Sequence, residues 1–363
     1  MGHMMKILAI ETSCDETAIA VVEGAPDRVR VLSNVVSSQI PVHAAWGGVV
    51  PHIASREHAA NIEHVFQQAI HDAGVAFPQD IDAIAVTHGP GLGPALIIGI
   101  TFAKTLAAET GLPLIDVDHM DGHIHSNWLD AEQPMDAVFP VLNLIVSGGH
   151  TELVTMRDHG DYTVIGETQD DAVGEAFDKV ARMLGLGYPG GPAISKLAQE
   201  GNPLAFPFPQ PMRDSNSFHF SYSGLKTAVL YALRDMGDTL KESARADVAA
   251  SFQEAAIEVL VHKTIRAAHA TDTKTVLLSG GVSANKLLRE RLAQRLAEEG
   301  IAHVQPLMKY TTDNAAMIGA AGYFRFMKGN VAPWNTVAMR PNLTLGETTT
   351  DTLQSTAHAS RTS

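Results

Sequence analysis

Residues 6–10 (Lys-Ile-Leu-Ala-Ile) and 18–22 (Ala-Ile-Ala-Val-Val) are short apolar runs on either side of a polar stretch, Glu11-Thr12-Ser13-Cys14-Asp15-Glu16-Thr17. This pattern predicts a β-hairpin with a polar tip. A second version begins about 135 residues later. It has a strand over 140–146, a tight turn at Ser147-Gly148-Gly149-His150 and a returning strand over 151–154. The two share a pattern rather than residues. Together they point to an internally duplicated architecture, and 363 residues leave room for two domains rather than one.

Helical periodicity fills the space between. Apolar residues recur at Ala59, Ile62, Val65, Phe66, Ala69 and Ile70, and Gly74 ends the run. A strand is predicted over 81–86. A helix opens at Pro94, where the missing N–H costs nothing, and closes at Gly111. Further helices are predicted over 172–184, 224–235, 243–270, 284–299 and 314–327, with a strand over 275–278. Strands alternating with helices mean an α/β protein with mixed sheets. Residues 201–223, with four prolines and four phenylalanines, read as a loop, and the Thr/Ser-rich tail over 343–363 as disordered. Met1 to Met4 read as a cloning remnant before a natural start at Met5. No apolar run is long enough for a membrane span, and the start lacks a signal-peptide pattern. Cys14 is the lone cysteine, so no intrachain disulfide forms, and a reducing, cytoplasmic setting is the default.

Three features carry chemistry. In His119-Met120-Asp121-Gly122-His123 the histidines stand at i and i+4, on one helical face, a spacing that suits a single transition metal. The alternative is a pair of surface or capping histidines in a chain that has 17 of them. A zinc protease would place glutamate after the first histidine; here Met120 stands there and cannot act as a base. His125 reads as a surface residue. The second feature is three glycine-rich turns after strands: His88-Gly89-Pro90-Gly91-Leu92-Gly93, Ser147-Gly148-Gly149-His150 and Ser279-Gly280-Gly281-Val282-Ser283. Such turns offer backbone N–H groups to a phosphate. None fits a dinucleotide fingerprint or a Walker A loop. The third is acidic: Glu175 and Asp178 share a helix face, either as a solvated helix start or as acceptors for a ribose or amine. Thr312 or Asp313 precedes an apolar helix, where an N-cap is the usual role.

These segments fall into an order. Glu11-Thr-Ser-Cys-Asp-Glu-Thr17, Gly47-Gly-Val-Val-Pro51, Ala54-Ser-Arg-Glu-His58, Gly89-Pro-Gly-Leu92, His119-Met-Asp-Gly-His123, Val146-Ser-Gly-Gly-His-Thr151, Gly174-Glu-Ala-Phe-Asp-Lys179, Tyr188-Pro-Gly-Gly-Pro192, Phe220-Ser-Tyr-Ser-Gly-Leu-Lys226, Ser279-Gly-Gly-Val-Ser-Ala-Asn285 and Thr312-Asp-Asn314 follow one another along the chain. This series closely resembles the bacterial TsaD family, once described as O-sialoglycoprotein endopeptidases. The match spans residues 5–342.

The resemblance implies a two-lobed actin/hexokinase/Hsp70-like (ASKHA) fold, each lobe a mixed sheet with helices, with lobes over 5–135 and 136–342. It implies transfer of threonylcarbamoyl from threonylcarbamoyl-AMP to N6 of adenosine 37 in tRNAs reading codons that start with A, with ATP or ADP as further occupants of the cleft. By position, His119, His123 and Asp313 would hold one iron or zinc ion. Ile145, Val146, Ser147, Gly148 and Gly149 would line the substrate, and Asp178, Gly191 and Asn285 would touch the adenylate. Asp15, on the first hairpin tip, is a candidate base or orienting group for the attacking amine. Asp118 stands where the family often has a second histidine, and Ser195 where some relatives carry aspartate. Archaeal and eukaryotic relatives have tyrosine where Ile145 stands.

The charge is uneven. Residues 1–150 hold 5 Lys+Arg against 17 Asp+Glu, and the remainder 21 against 23. An acidic first half is a poor phosphate surface. The resemblance supplies helpers: a TsaB-like paralogue on the N-terminal lobe, with the helices over 55–73 and 94–110 as its pairing face, and a TsaE-like ATPase. A kinase of the same fold would share the hairpins and glycine turns without calling for the histidine pair, and a non-catalytic scaffold would lack both the histidines and Gly174-Glu-Ala-Phe-Asp-Lys179.

Overall fold

The computed structural model describes residues 4–131, 139–237 and 242–346. Met1 to His3, the expected lobe boundary at 135/136 and the tail from 347 lie outside the described residues.

The first hairpin forms as predicted, from β1 (Met5–Glu11) and β2 (Glu16–Ala25), paired antiparallel. The chain continues into β3 (Arg28–Ser38), crosses through helix α1 (Ile40–His43) and helix α2 (Pro51–Ala73) to β4 (Ala83–Gly89), then through α3 (Gly93–Thr110) to β5 (Leu114–Asp118). Strand order is β3-β2-β1-β4-β5, with β4 and β5 parallel to β1. The second half repeats this plan. β6 (Val141–Val146), β7 (Thr151–Asp158) and β8 (Asp161–Glu167) form an antiparallel meander, and β9 (Thr275–Ser279) and β10 (Ala302–Val304) add in parallel, giving β10-β9-β6-β7-β8. The two sheets therefore have the same topology, and the duplication read from the hairpins is a duplication of the whole sheet.

Both faces of each sheet are covered. On β1, Leu8 and Ile10 belong to a core with α2 and α3, while Ile7 and Ala9 belong to a second core on the opposite face. That second core also holds Val141, Ile145 and Val154 from the other sheet, so it lies between the two. A third core covers the outer face of the second sheet. There, helices α5 (Val173–Met183), α6 (Gly190–Ala198), α7 (Ser223–Met236), α8 (Glu242–Ala270) and α9 (Lys286–Glu298) pack. Near-continuous apolar strands are what a sheet buried on both faces requires.

Helix α10 (Ala315–Met327) comes late in the chain but packs on the first sheet: its Ala316, Ala320 and Tyr323 share the central core with Ile7, Ala20 and Ala83. A Cβ on Gly319 would sit 2.7 Å from the Val22 side chain, so a glycine there sets how closely helix and sheet approach. The contiguous span 136–342 thus includes one helix that packs with the other lobe. The predicted disorder from 343 does not hold at its start: Leu343 and Leu345 are buried, Leu345 in the central core.

Most helices lie within two residues of their predicted ends, but α2 begins at Pro51 instead of near 55, and α6, which starts at Gly190 within the Tyr188–Pro192 motif, has no counterpart among the predicted helices. The strand expected over 81–86 is Ala83–Gly89. No helix among the described residues is long and apolar enough to cross a membrane.

Candidate metal centre and cleft

The short helix α4 (His119–His125) follows β5 directly. Asp118 caps it, its Oδ1 accepting from Met120 N at 2.7 Å. The capping residue is the one that stands where relatives often have histidine, and burial raises its pKa to about 7. Gly122 lets α10 come close, since a Cβ there would lie 2.7 Å from Ile318 Cδ1. That approach brings Asp313, just before α10, to the histidine face. His119 Nε2 is 3.5 Å and His123 Nε2 3.2 Å from Asp313 Oδ1, and one donor atom from each of the three residues lies within 4.8 Å of the others. The helix cap is the next residue, Asn314, whose side chain accepts from Met317 N at 3.0 Å. Asp313 is therefore free of the capping role.

The donor set fits a divalent ion. His119 Nδ1 lies 3.0 Å from Glu11 Oε2, which only accepts, so Nδ1 carries a proton, and Nε2, turned toward Asp313, is the nitrogen that would serve an ion once its own proton leaves. Glu11 is buried and also accepts from Thr87 Oγ1 at 2.6 Å and from Ser13 N. Burial would raise the Glu11 pKa, but the charge and hydrogen bond of His119 hold it below the usual carboxylate value. Burial alone would likewise raise Asp313; His119 and His123 hold it well down. His123 is fully buried; its Nε2 meets the Asp313 carboxylate at 3.2 Å, while its Nδ1 has no hydrogen-bond partner, an arrangement that costs stability unless something else binds there. Two imidazoles and a carboxylate are a ligand set for iron or zinc.

His125 is not a surface residue. It is 1% exposed, its Nδ1 lies 2.7 Å from Asp121 Oδ1 and its Nε2 2.8 Å from His159 Nδ1. Two residues beyond His123, it points away from the metal face, into packing with Trp128 and Phe324. Met120, the residue in the protease base position, is buried in the central core. A cavity of about 400 Å³ bordered by Asp116, Asp121, His125 and Arg325 opens on this far side, away from the candidate metal ligands.

The glycine turns divide into two kinds. The first is filled by protein: Gly91 N donates to Pro341 O and Leu92 N to Ser13 O, and a Cβ on Gly91 would collide with Ser13. Its glycines serve close packing, so it does not offer the phosphate cradle expected of it. The Ser147–His150 turn is open and the third turn only in part: added Cβ atoms at Gly148, Gly149 and Gly281, and at Gly191 at the start of α6, would meet nothing within 4 Å, while one on Gly280 would lie 2.3 Å from Val146 O. Gly174, at the start of α5, packs against the Ser147-Gly148 backbone, which links this turn to the helix carrying Asp178.

Asp178 Oδ1 accepts from Gly190 N at 2.7 Å, tying α5 to α6, and burial raises its pKa. Glu175 pairs with Lys179 at 2.7 Å and is a surface group. Asn285 is largely spoken for: its Oδ1 caps α9 through Leu288 N at 3.1 Å, and its Nδ2 donates to Ser195 Oγ and Gln253 Oε1, each at 3.0 Å. Ile145 and Val146 are wholly buried in different cores, so only their backbone is available to a substrate. Asp15 lies at the hairpin tip, and burial together with Asp313 and Asp15 raises its neighbour Glu16 to about 10.

Sequence reasoning missed the supports. Glu11 sits in a quoted motif, but nothing in its spacing ties it to a histidine 108 positions away. A second buried network holds the hairpin tip. His58 Nε2 donates to Cys14 O at 3.1 Å, and its Nδ1 accepts from Thr17 Oγ1 at 2.8 Å and from Gln39 Nε2 at 3.3 Å. Gln39 Oε1 in turn accepts from His43 Nε2 at 3.1 Å.

The family model for TsaD, tRNA N6-adenosine threonylcarbamoyltransferase, matches residues 30–320. Among curated proteins, the tRNA N6-adenosine threonylcarbamoyltransferase of Desulfitobacterium hafniense is 50% identical over 94% of this chain and 98% of its own length. That of Bacillus subtilis is 52% identical over 90% and 92%. Among solved structures, T. kodakarensis HypF superposes with a TM-score of 0.63 at 15% identity, over 90% of this chain and 49% of that one. Full-length HypF in its phosphate- and nucleotide-bound form gives 0.59 at 15%, over 89% and 46%. This chain spans about half of each HypF chain, and that likeness concerns the two-lobed fold alone.

Proposed function

The chain belongs to the TsaD family of tRNA N6-adenosine threonylcarbamoyltransferases, and we propose that it works in the cleft between the Asp15 tip, the open glycine turns and the His119–His123–Asp313 cluster. Its activity is transfer of threonylcarbamoyl to N6 of adenosine 37 of tRNA. The observation that carries the placement is the cluster itself: three donor atoms within 4.8 Å, one of them oriented by a buried carboxylate.

Threonylcarbamoyl-AMP is the donor in this reading. An exocyclic adenine amine is a weak nucleophile, so the carbonyl must be strongly electrophilic and the leaving group good. A divalent ion, iron or zinc, held by His119, His123 and Asp313 supplies Lewis acidity at that carbonyl when bound. N6 attacks the carbonyl carbon, the C–O bond to the phosphate breaks and AMP departs. Backbone N–H groups of Ser147 to Gly149 and Gly191 receive the threonylcarbamoyl-phosphate region, where charge builds as AMP leaves. Asp178 and Asn285 border the adenylate, Asn285 through the second lone pair of its Oδ1, since its Nδ2 donates to Ser195 and Gln253. The N6 proton needs an acceptor, and Asp15 is our candidate; the His58–Cys14 hydrogen bond fixes the backbone beside it. The lobe division near 135/136, a cytoplasmic setting, and assembly with a TsaB-like paralogue on the N-terminal lobe and a TsaE-like ATPase complete the reading.

The test is transfer of labelled threonine from threonylcarbamoyl-AMP into unmodified tRNA, with and without the two partner proteins, beside a His119→Ala/His123→Ala variant. Label with the wild type and none with the variant supports the site. Label with both removes the cluster from the mechanism.

A further inference from the structure

The segment that runs from the Asp15 tip to a contact with α5 carries an exposed aromatic residue that the mechanism above does not use. Trp46 is 66% exposed, against 47% for Trp334 and 0% for Trp128. It lies in the segment that joins β3 to α2, in a 3-10 turn between α1 and Gly47. Such a segment would ordinarily be loose. Here it is tied at both ends. At its start, Gln39 N donates to Asp15 O at 2.9 Å, and the buried Gln39–His43–His58 network locks α1 to α2. At its far end, Val50 N donates to His43 Nδ1 at 3.3 Å, and Arg182 Nη2, from α5 of the other half, donates to Gly47 O at 2.5 Å. The backbone that carries Trp46 is thus tied on one side to the Asp15 tip and on the other to the helix that carries Asp178.

We propose that Trp46 is a stacking platform for a base of the tRNA anticodon loop beside the adenosine that reacts, an inference that rests on the reading of this cleft as the transfer site. Anticodon-loop bases are single-stranded and can splay out onto an aromatic face. The charge distribution favours this mode of grip. The first 150 residues carry 5 basic against 17 acidic side chains, so phosphate contacts are scarce on that side. A neutral π-face holds a base without needing positive charge. Immobilising the segment in advance, with the Arg182 clamp and the histidine network, lowers the ordering cost of binding. The backbone is anchored while the indole is left in solvent, where it adds little to packing.

The experiment compares wild type, Trp46→Ala, Trp46→Phe and, as a remote exposed control, Trp334→Ala. It measures transfer kinetics under conditions where the wild type labels tRNA, with tRNA affinity by filter binding at two salt concentrations. Trp46→Ala is expected to raise the tRNA KM and Kd by roughly 5- to 100-fold, the range one stacked base spans. The KM for threonylcarbamoyl-AMP should stay unchanged. The ratio to wild type should be the same at both salt concentrations, because stacking releases no counterions. Trp46→Phe should recover most of the loss, and Trp334→Ala should behave as wild type. A tRNA KM within twofold of wild type in Trp46→Ala overturns the proposal. So does a loss that phenylalanine fails to rescue, or weakened binding of a protein partner with tRNA affinity intact, which would make Trp46 a protein-docking residue. If the wild type itself transfers no label, the functional reading fails, and this proposal with it.

Discussion

Replacing Glu11 by glutamine keeps the shape of the side chain and changes one charge and one hydrogen-bonding pattern. The carboxylate now accepts at both oxygens: Oε1 from Ser13 N, and Oε2 from Thr87 and from His119 Nδ1. An amide cannot accept at both. If its NH2 faces Ser13, a buried backbone donor loses its partner. If it faces His119, the imidazole is pushed to the tautomer with its proton on Nε2, the nitrogen aimed at Asp313, and that nitrogen can no longer ligate. Substitutions of this supporting kind cost about 10–100-fold in metal affinity, equal to about 1.4–2.8 kcal/mol. Charge alone gives a similar figure: a unit charge across an imidazole ring, roughly 7 Å from the bound ion, is worth about 2 kcal/mol at an effective dielectric of about 20. The assay is zinc competition against a chromophoric chelator, with tRNA labelling in parallel. A zinc Kd in Glu11→Gln within twofold of wild type would refute the orienting role and leave the Glu11–His119 contact as packing.

Other outcomes follow from neighbouring geometry. Asp313→Ala should remove tight metal binding and transfer, whereas Asn314→Ala, which removes the α10 cap, should cost about 1 kcal/mol of stability and leave zinc affinity near wild type; zinc binding retained in Asp313→Ala would contradict this division. Gly149→Ala and Gly191→Ala, whose new methyl groups project into open space, should weaken adenylate binding without loss of stability. Gly190→Ala should destabilise, because its Cβ would fall 2.6 Å from Asp178 Cα; thermal melts and adenylate titrations of the three separate these effects. Glu152 stands opposite Glu167 across the β7–β8 pair, and burial and then that charge raise its pKa to about 7. Its folded form holds the proton more tightly than the unfolded chain, so the stability this gives is present below about pH 4.5 and lost as pH rises through 7. Glu152→Gln should therefore raise the melting temperature at pH 8 and change it little at pH 4.5, and an equal shift at both would remove Glu152 as the cause.

What the sequence disclosed depended on how local each signal was. Helices with a clear apolar period and a glycine stop, such as α2 with Gly74 and α3 with Gly111, were legible because cap and stripe lie within one segment. The hairpins were legible for the same reason. β3 was not, because its polar and apolar residues mix without strict alternation, and β10, three residues long, gives too little pattern to see. In the site, His119 and His123 were legible from their i, i+4 spacing. Asp313 came only from the family resemblance, since its place beside them depends on α10 crossing back to the first sheet. His125 was misjudged because spacing says which face a residue occupies but not what covers that face; here His159 and Phe324 do. The 88–93 turn was misjudged because a glycine that receives a phosphate and one that receives a neighbouring backbone look alike in sequence.

The return of α10 has a consequence for how the protein is made. Strands β1, β2, β4 and β5 are complete by Asp118, yet the helix that covers their inner face begins at Ala315. About 200 residues separate the two, which at ribosomal speed is roughly 10–40 s. Over that interval the apolar row of Ile7, Ala9, Ala20, Ala83 and Val117 lacks its final cover. The first half of the nascent chain therefore keeps apolar surface that it cannot cover with its own residues until the last helix leaves the ribosome. A chain broken off before residue 313 would lose the cover of its first lobe as well as Asp313, the candidate metal aspartate.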